Sequence, residues 1–284
     1  NIYKADNSIG DGITAVLYTL NNENDIFDCL TSILNTGYDQ LLVVDGESDD
    51  NTVPIAEKFE VEIIKSKRGF NFQRSAALAK TKHKYLIGLE ADHRYPGEFC
   101  LKMKNYLKKT DLISAQAKLK VIGANNYFEN GLKAFYEIHQ DAQNKADIIG
   151  GPSIIYSKFL RDHLMASTFK GGSADTERSE IIKNLGFKVG YAPIYAYQYE
   201  KMNLKIFFDK YYWYGKGDHH FYKAFSKQWN FKRRLRSLFH VFNRYIIKYP
   251  IKMIKTGKIK YVPYLWFSAL IRYYGWLIER IKDR

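Results

Sequence analysis

The chain has 284 residues, 46% hydrophobic and 16% aromatic. That is apolar mass for a substantial core in one or two domains, and it excludes a disordered or low-complexity chain. Net charge is +14, yet residues 201–284 hold 20 Lys+Arg against 4 Asp+Glu while residues 1–200 hold 24 against 26. The basicity therefore belongs to a tail and suits a nucleic-acid or an anionic-membrane partner.

The first residue is Asn rather than Met, as in a fragment or a trimmed chain, and no signal-peptide pattern follows it. Residues 13–19 (ITAVLYT) form an apolar run that predicts a strand. Ile26, Leu30, Ile33 and Leu34 then recur at helical spacing after a polar NNEN entry. LLVVD (41–45) predicts a second buried strand, followed by a turn-rich GESDDNT and a helix to about Phe59, capped by Asn51 or Thr52. VEIIK (61–65) predicts a third strand and RGFNFQRSAALAK a turn and a helix. YLIGLE (85–90) predicts a fourth strand, with Pro96 opening the next helix. Cys29 and Cys100 fall in helical stretches and read as free core thiols.

Apolar strands alternating with helices predict an α/β fold with a mostly parallel, Rossmann-like sheet flanked by helices. Ligands of such sheets bind outside the carboxyl ends of the strands. Thr19 to Glu23, Asp45, and Glu90 to His93 all fall at such ends, so three segments are expected to meet in one crevice.

Further on, LISAQAKLKVI predicts a strand, NYFENGLKAFYEIHQDAQ a helix, and GGPSIIYS a glycine pair before a strand. ADTERSEIIKNLGFKVGYAP predicts a helix capped by Asp175 or Thr176, closed by Gly186, and then a short strand. After Glu200 the composition turns to Tyr, Phe, Trp, Lys and Arg, which places a domain boundary there. The expected division is residues 1–200 as the catalytic domain, with halves at about 13–110 and 111–200, and residues 201–284 as a helical region.

Six acid-x-acid triplets occur in the chain, so the pattern alone decides nothing. Glu90/Asp92 stands apart because an apolar strand delivers it into the predicted crevice. A hard divalent cation takes oxygen ligands, commonly one or two carboxylates plus substrate phosphates. A metal-phosphate site and a capped loop both fit these residues.

Four ordered stretches over residues 13–192 resemble the family 2 glycosyltransferases. VLYTLNNENDIFDCLTSIL resembles their opening strand and P-T-x-N-E-E turn. VVDGESDDNT resembles V-V-D-x-x-S-x-D-x-T. RGFNFQRSAALAKTKHKYLIGLEADHRYP resembles a G-x-x-x-Q-R-N-x-x-L-x-x-A stretch followed by the D-x-D metal motif. ADTERSEIIKNLGFKVGYAP resembles the later E-D-x-(D/E) helix. Tyr18 stands where the family has Pro, Gly46 where many members have a second Asp, Ala174 where Glu is common, and Gln198 near a frequent metal-binding His. His219 and His220 are alternatives for completing that metal shell. No Q-x-x-R-W motif appears, which argues for addition of one sugar at a time.

The resemblance implies a GT-A fold and inverting transfer from a UDP- or GDP-linked sugar with Mn²⁺ or Mg²⁺. It implies a donor site made of Thr19, Leu20, Asn21, Glu23, Asp45, Gln73, Arg74, Glu90, Ala91 and Asp92. The metal would be held by Asp92 and Glu90, with His93 a ligand or a supporting group. Asp175 would be the general base, and Gly150, Gly151 and Glu177 would face the acceptor. Plainer readings stand beside these. Asp45 can cap the turn at Gly46, Arg74 can be a solvated helix residue, Asp175 a helix cap, and Gly150–Gly151 a turn.

In the tail, Leu235, Leu238, Phe239, Phe242 and Ile246 recur at helical spacing among arginines. A basic amphipathic helix with Trp and Tyr suits a membrane interface, though a helical subdomain packed on the core fits too. Residues 261–278 are interrupted by Pro263, Arg272 and Gly275, so an in-plane rather than a spanning segment is expected. The expected setting is peripheral, on the cytoplasmic face of a membrane, with residues 229–284 on the anionic surface and a glycan or lipid-linked (polyprenyl) acceptor. A nucleotidyltransferase, a catalytically silent glycan- or membrane-binding homologue, and a nucleic-acid binder are the rival classes. The last leaves the acidic rim unexplained, so no nucleic-acid partner is expected.

Overall fold

The computed structural model describes residues 2–5, 10–140, 146, 148–163 and 174–283. Among the described residues eight strands form one sheet: β1 Ile13–Thr19, β2 Gln40–Asp45, β3 Glu62–Lys65, β4 Tyr85–Glu90, β5 His93–Arg94, β6 Leu112–Val121, β7 Ser153–Tyr156 and β8 Lys188–Gln198. Their order is β3-β2-β1-β4-β7-β6-β8-β5. The first four are parallel, as continuous apolar strands require, and β7 turns the sheet antiparallel against both β4 and β6.

The helices are α1 Ile2–Ala5, α2 Ile26–Ile33, α3 Thr52–Ala56, α4 Phe70–Lys80, α5 Phe99–Lys109, α6 Tyr127–His139, α7 Ser157–His163, α8 Ala174–Asn184, α9 Leu204–Phe225, α10 Phe231–Val241, α11 Tyr249–Lys255 and α12 Val262–Lys282. The spacing argument succeeds at α2, where Ile26, Leu30 and Ile33 are buried and Leu34 is the exposed C-cap. Gly186, at φ +78°, closes α8 as expected. Its N–H meets Lys183 O and that of Phe187 meets Ile182 O, the paired bonds of a Schellman ending.

Two expectations about local structure are corrected. Pro96 does not open a helix; α5 begins at Phe99. The segment before it forms β5 instead, pairing His93 with Gln198 and Arg94 with Tyr197. The Tyr95 hydroxyl fixes that turn, accepting from Glu90 N–H (2.8 Å) and donating to Glu90 O (3.1 Å). The short strand after Gly186 is in fact eleven residues long and reaches Gln198.

By packing, residues 1–120, 142–167 and 178–199 form one unit, and residues 121–141, 168–177 and 200–284 a second. The first is built on the sheet, with Ala15, Val16, Leu17, Val43, Val44 and Ile87 buried along its central strands. The second has its own core, where Tyr211 and Tyr264 join hydroxyls at 3.0 Å among Phe135, Phe207, Tyr245 and Leu265. Its helices α9 and α12 touch backbone to backbone. A Cβ on Gly215 would lie 2.0 Å from Arg272 O, and one on Gly275 would lie 2.4 Å from Tyr212 O. Arg272 pairs both ways with Asp218, including Nη2 to Oδ1 at 2.8 Å. The residues that interrupt 261–278 in sequence are therefore packing devices, and Pro263 simply starts the helix. Among the described residues no helix is long and apolar enough to cross a membrane.

Candidate functional site

Strand register brings the three carboxyl ends together. Thr19 lies beside Asp45 and Tyr18 beside Glu90. The loops that follow β1 and β2 are then laced to each other. Asn21, in the left-handed region at φ +54°, donates its N–H to Ser48 Oγ (2.9 Å) and accepts at Oδ1 from Asp49 N–H (3.0 Å). Glu23 Oε2 accepts from Asn51 N–H at 3.1 Å. Asp45 is buried and accepts from Ser48 N–H (2.9 Å) and Ser48 Oγ–H (2.5 Å), so it does cap its turn. Leu20 is exposed at the tip of the first loop, and Thr19 is buried below it, donating to Asn22 Oδ1.

The departures from the family pattern find physical partners here. The Gln73 amide donates to Thr19 O and Val44 O, both at 2.9 Å, and a Cβ on Gly46 would lie 3.1 Å from it. Gln73 thus fills the space beside residue 46 and ties β1 to β2. Tyr18 lays its ring against Gly88, where an added Cβ would be 3.2 Å away, and against Phe70. Arg74 stacks over Phe70 at 4.4 Å, and a cavity beside β4 is lined by Tyr18, Phe70, Arg74, Glu90, Gly151 and Arg178. An arginine pair facing one carboxylate in such a cavity is chemistry suited to anionic groups.

Ligand-type atoms of Glu90, Asp92 and His93 lie within 4.8 Å of one another. The two carboxylates are each about one-third exposed, whereas His93 is fully buried. Since a carboxylate only accepts, His93 Nδ1 donates to Asp92 Oδ1 at 2.6 Å. On the other side Gln198 Nε2 donates to Asp92 Oδ2 at 3.0 Å. Asp92 is thus held at both oxygens. Two solvent-facing carboxylates fit a hard cation that keeps water or phosphate ligands, and His93 and Gln198 fit the role of orienting Asp92.

Gln198, which the sequence had placed near the metal-shell position, is carried there by β8, which is longer than expected and pairs with β5. Along that strand Ala196 and Gln198 are buried and Tyr197 between them is half-buried. His219 and His220, the alternatives for that place, are on α9 of the second unit and bond through Nε2 to Asp283 (2.9 Å) and Glu279 (3.0 Å) of α12.

Behind the cluster, Ala91 is buried, and Cys29 Sγ–H reaches Glu90 O at 3.5 Å. Burial pushes the Cys29 thiol well up and the Cys100 thiol up to about 12, so both are inert core groups. Gly150 N–H donates to Gln116 Oε1 (2.9 Å) and Gln116 Nε2 to Gly151 O (3.2 Å). Arg178 Nη2 and Ser179 Oγ hold the backbone of Ile149. A Cβ on Gly151 would lie 2.1 Å from Glu90 Oε1. The missing side chain at 151 therefore makes room for the Glu90 carboxylate. Gly151→Ala is expected to displace that flexible carboxylate and weaken metal-dependent nucleotide binding ~10–100-fold, as loss of ligand support does. Titration calorimetry alongside an unchanged melting temperature checks this; unchanged affinity would remove Glu90 from the site.

Asp175 and Glu177 stand in the first described turn of α8, in the second unit, Asp175 half-buried and Glu177 buried. Asp175 thus lies inside the helix rather than before it.

The profile of glycosyl transferase family 2 matches residues 14–164. Among solved structures, the chain is similar to the mannosyltransferase PcManGT from Pyrobaculum calidifontis, in complex with GDP-Man and Mn²⁺, at 15% identity and a TM-score of 0.57, over 93% of this chain and 76% of that one. It is similar to S. aureus TarS residues 1–349, in complex with UDP-GlcNAc, at 12% identity and 0.57, over 96% and 91%. It also resembles mannosyl-3-phosphoglycerate synthase from Rubrobacter xylanophilus at 15% identity and 0.56, over 81% and 79%. At such identities the structures attest the GT-A architecture alone. The profile covers more than half of the chain, and the chain therefore belongs to glycosyl transferase family 2 and is a glycosyltransferase.

Proposed function

We propose that this enzyme moves one sugar at a time from a UDP- or GDP-linked donor to a hydroxyl or phosphate of a glycan or lipid-linked acceptor, inverting the anomeric carbon. The observation that supports it most is Asp92 clamped between His93 and Gln198 at the end of β4, beside Glu90. A Mn²⁺ or Mg²⁺ ion held by Asp92 and Glu90 would supply positive charge against the donor's diphosphate as it departs. Arg74 adds fixed positive charge in the neighbouring cavity. Thr19, Leu20, Asn21, Glu23 and Asp45 form the rim against which the nucleoside is placed. Asp175 takes the acceptor proton as the new C1–O bond forms and the C1–O bond to phosphate breaks. One base suffices for a single displacement.

The nucleotides named with two of the similar structures, GDP-Man and UDP-GlcNAc, support a donor of this class. Incubation of the purified chain with a panel of nucleotide-sugars and Mn²⁺ is expected to release nucleoside diphosphate from one of them. Release of pyrophosphate would instead assign a nucleotidyltransferase. No release, with nucleotide still bound, would assign a silent homologue.

A further inference from the structure

We propose that α12 is an in-plane membrane helix that seats the second unit on an anionic lipid surface. Trp266, Phe267, Leu270, Tyr274, Leu277 and Ile281 are 46–64% exposed. At 3.6 residues per turn they share an arc of about 100° that runs the length of the helix, about 30 Å. No charged residue falls within that arc. The opposite face carries the buried Tyr264, Leu265, Ala269 and Gly275 and packs into the unit, so the exposed stripe is surplus to folding. The rings of Phe208 and Tyr212 on α9 extend it, at 6.4 and 5.9 Å from Tyr274. Soluble monomers rarely expose apolar surface of this continuity.

Charge decides the occupant. Exposed Lys255 and Lys260 precede the stripe, and exposed Arg280 and Lys282 stand on either side of its last residue, Ile281. Three of the four acids in residues 201–284 are already bridged within the unit, Asp218 to Arg272, Glu279 to His220, and Asp283 to Lys223. Lys255, Lys260, Arg280 and Lys282 face outward near the two ends of the stripe. Exposed Phe231, Leu235 and Phe239 on α10, flanked by Lys232, Arg234 and Arg236, repeat the same composition. Apolar residues between bracketing cations match acyl chains below phosphate headgroups. A second copy laid on the stripe would set cations against cations at both ends. An RNA would meet a stripe with few polar groups to offer its bases. Among the described residues no helix is long and apolar enough to cross a membrane, and α12 with its one-sided apolar stripe suits an in-plane position. An anionic leaflet is the cytoplasmic one, and it would present a lipid-linked acceptor. That last step rests on the proposed transferase reading; the seating itself does not.

Sedimentation of the full chain with phosphatidylcholine vesicles containing about one-third phosphatidylglycerol tests the proposal. The wild-type chain is expected to co-sediment with these and at least ~10-fold less with pure phosphatidylcholine, since each basic residue contributes to binding an anionic leaflet. Leu270→Glu/Leu277→Glu is expected to lower partitioning ~10-fold or more, because two apolar side chains leave the acyl boundary. Both substitutions are on the exposed face, so melting temperature and metal-dependent nucleotide binding should hold. Vesicle binding unaltered by the pair would overturn the proposal. So would a shift from dimer to monomer with no change in vesicle binding, or salt-sensitive RNA binding in place of lipid binding.

Discussion

Asp92→Ala is expected to abolish metal-dependent binding of UDP or GDP and to lower transfer ~10²–10³-fold or more, since the metal's charge stabilisation is worth several kcal/mol. The reason is local. Asp92 is the member of the acidic cluster held on both oxygens, by His93 and by Gln198, in one orientation. Truncation also removes the 2.6 Å bond that buried His93 makes to Asp92, an effect of about 1–3 kcal/mol on stability. Asp92→Asn separates the two effects. It keeps an oxygen for His93 and the volume of the side chain, but it removes the negative charge. Calorimetry with Mn²⁺ and nucleotide, read beside thermal unfolding, should show both variants failing to bind and only the alanine losing stability. Undiminished nucleotide affinity without metal dependence in either variant would remove the cluster from the site.

Asp175→Asn is expected to leave donor affinity unchanged and to lower turnover ~10²–10⁴-fold, the usual worth of a positioned general base. The substitution keeps a polar side chain in the first described turn of α8, where a charge at a half-buried position contributes up to about 2 kcal/mol through the helix dipole. Folding is therefore a modest confounder. Steady-state transfer and donor binding must be measured on the same preparation, because only their separation identifies a base. Turnover near the wild-type value would reassign that role, with Glu177 of the same turn the next residue to replace.

Much of the donor-side site was legible along the chain because parallel strands are continuous apolar runs whose ends are marked by the first polar residues. Thr19, Asp45 and Glu90 were each identifiable as such an end, and register alone makes them neighbours. Local chemistry also announced the Gly186 helix ending and the turn cap at Asp45. Contacts between distant segments carried no such mark. Gln198 reaches Asp92 only because β8 runs on to pair with β5, and Gly151 matters only because β7 returns antiparallel beside β4 and sets Glu90 over it.

The tail shows the same division. Composition by itself determined that residues 201–284 are basic, aromatic and helical, and that an acidic rim ends the fourth strand. It could not say which side of α12 is buried, since Tyr264, Leu265 and Ala269 on one face and Phe267, Leu270 and Leu277 on the other are equally apolar. Tertiary packing decided that, through Gly215 and Gly275, whose missing side chains let α9 and α12 meet along one face only. Hydrophobic burial has no direction of its own. A close backbone approach does, and it left the other face of α12 exposed.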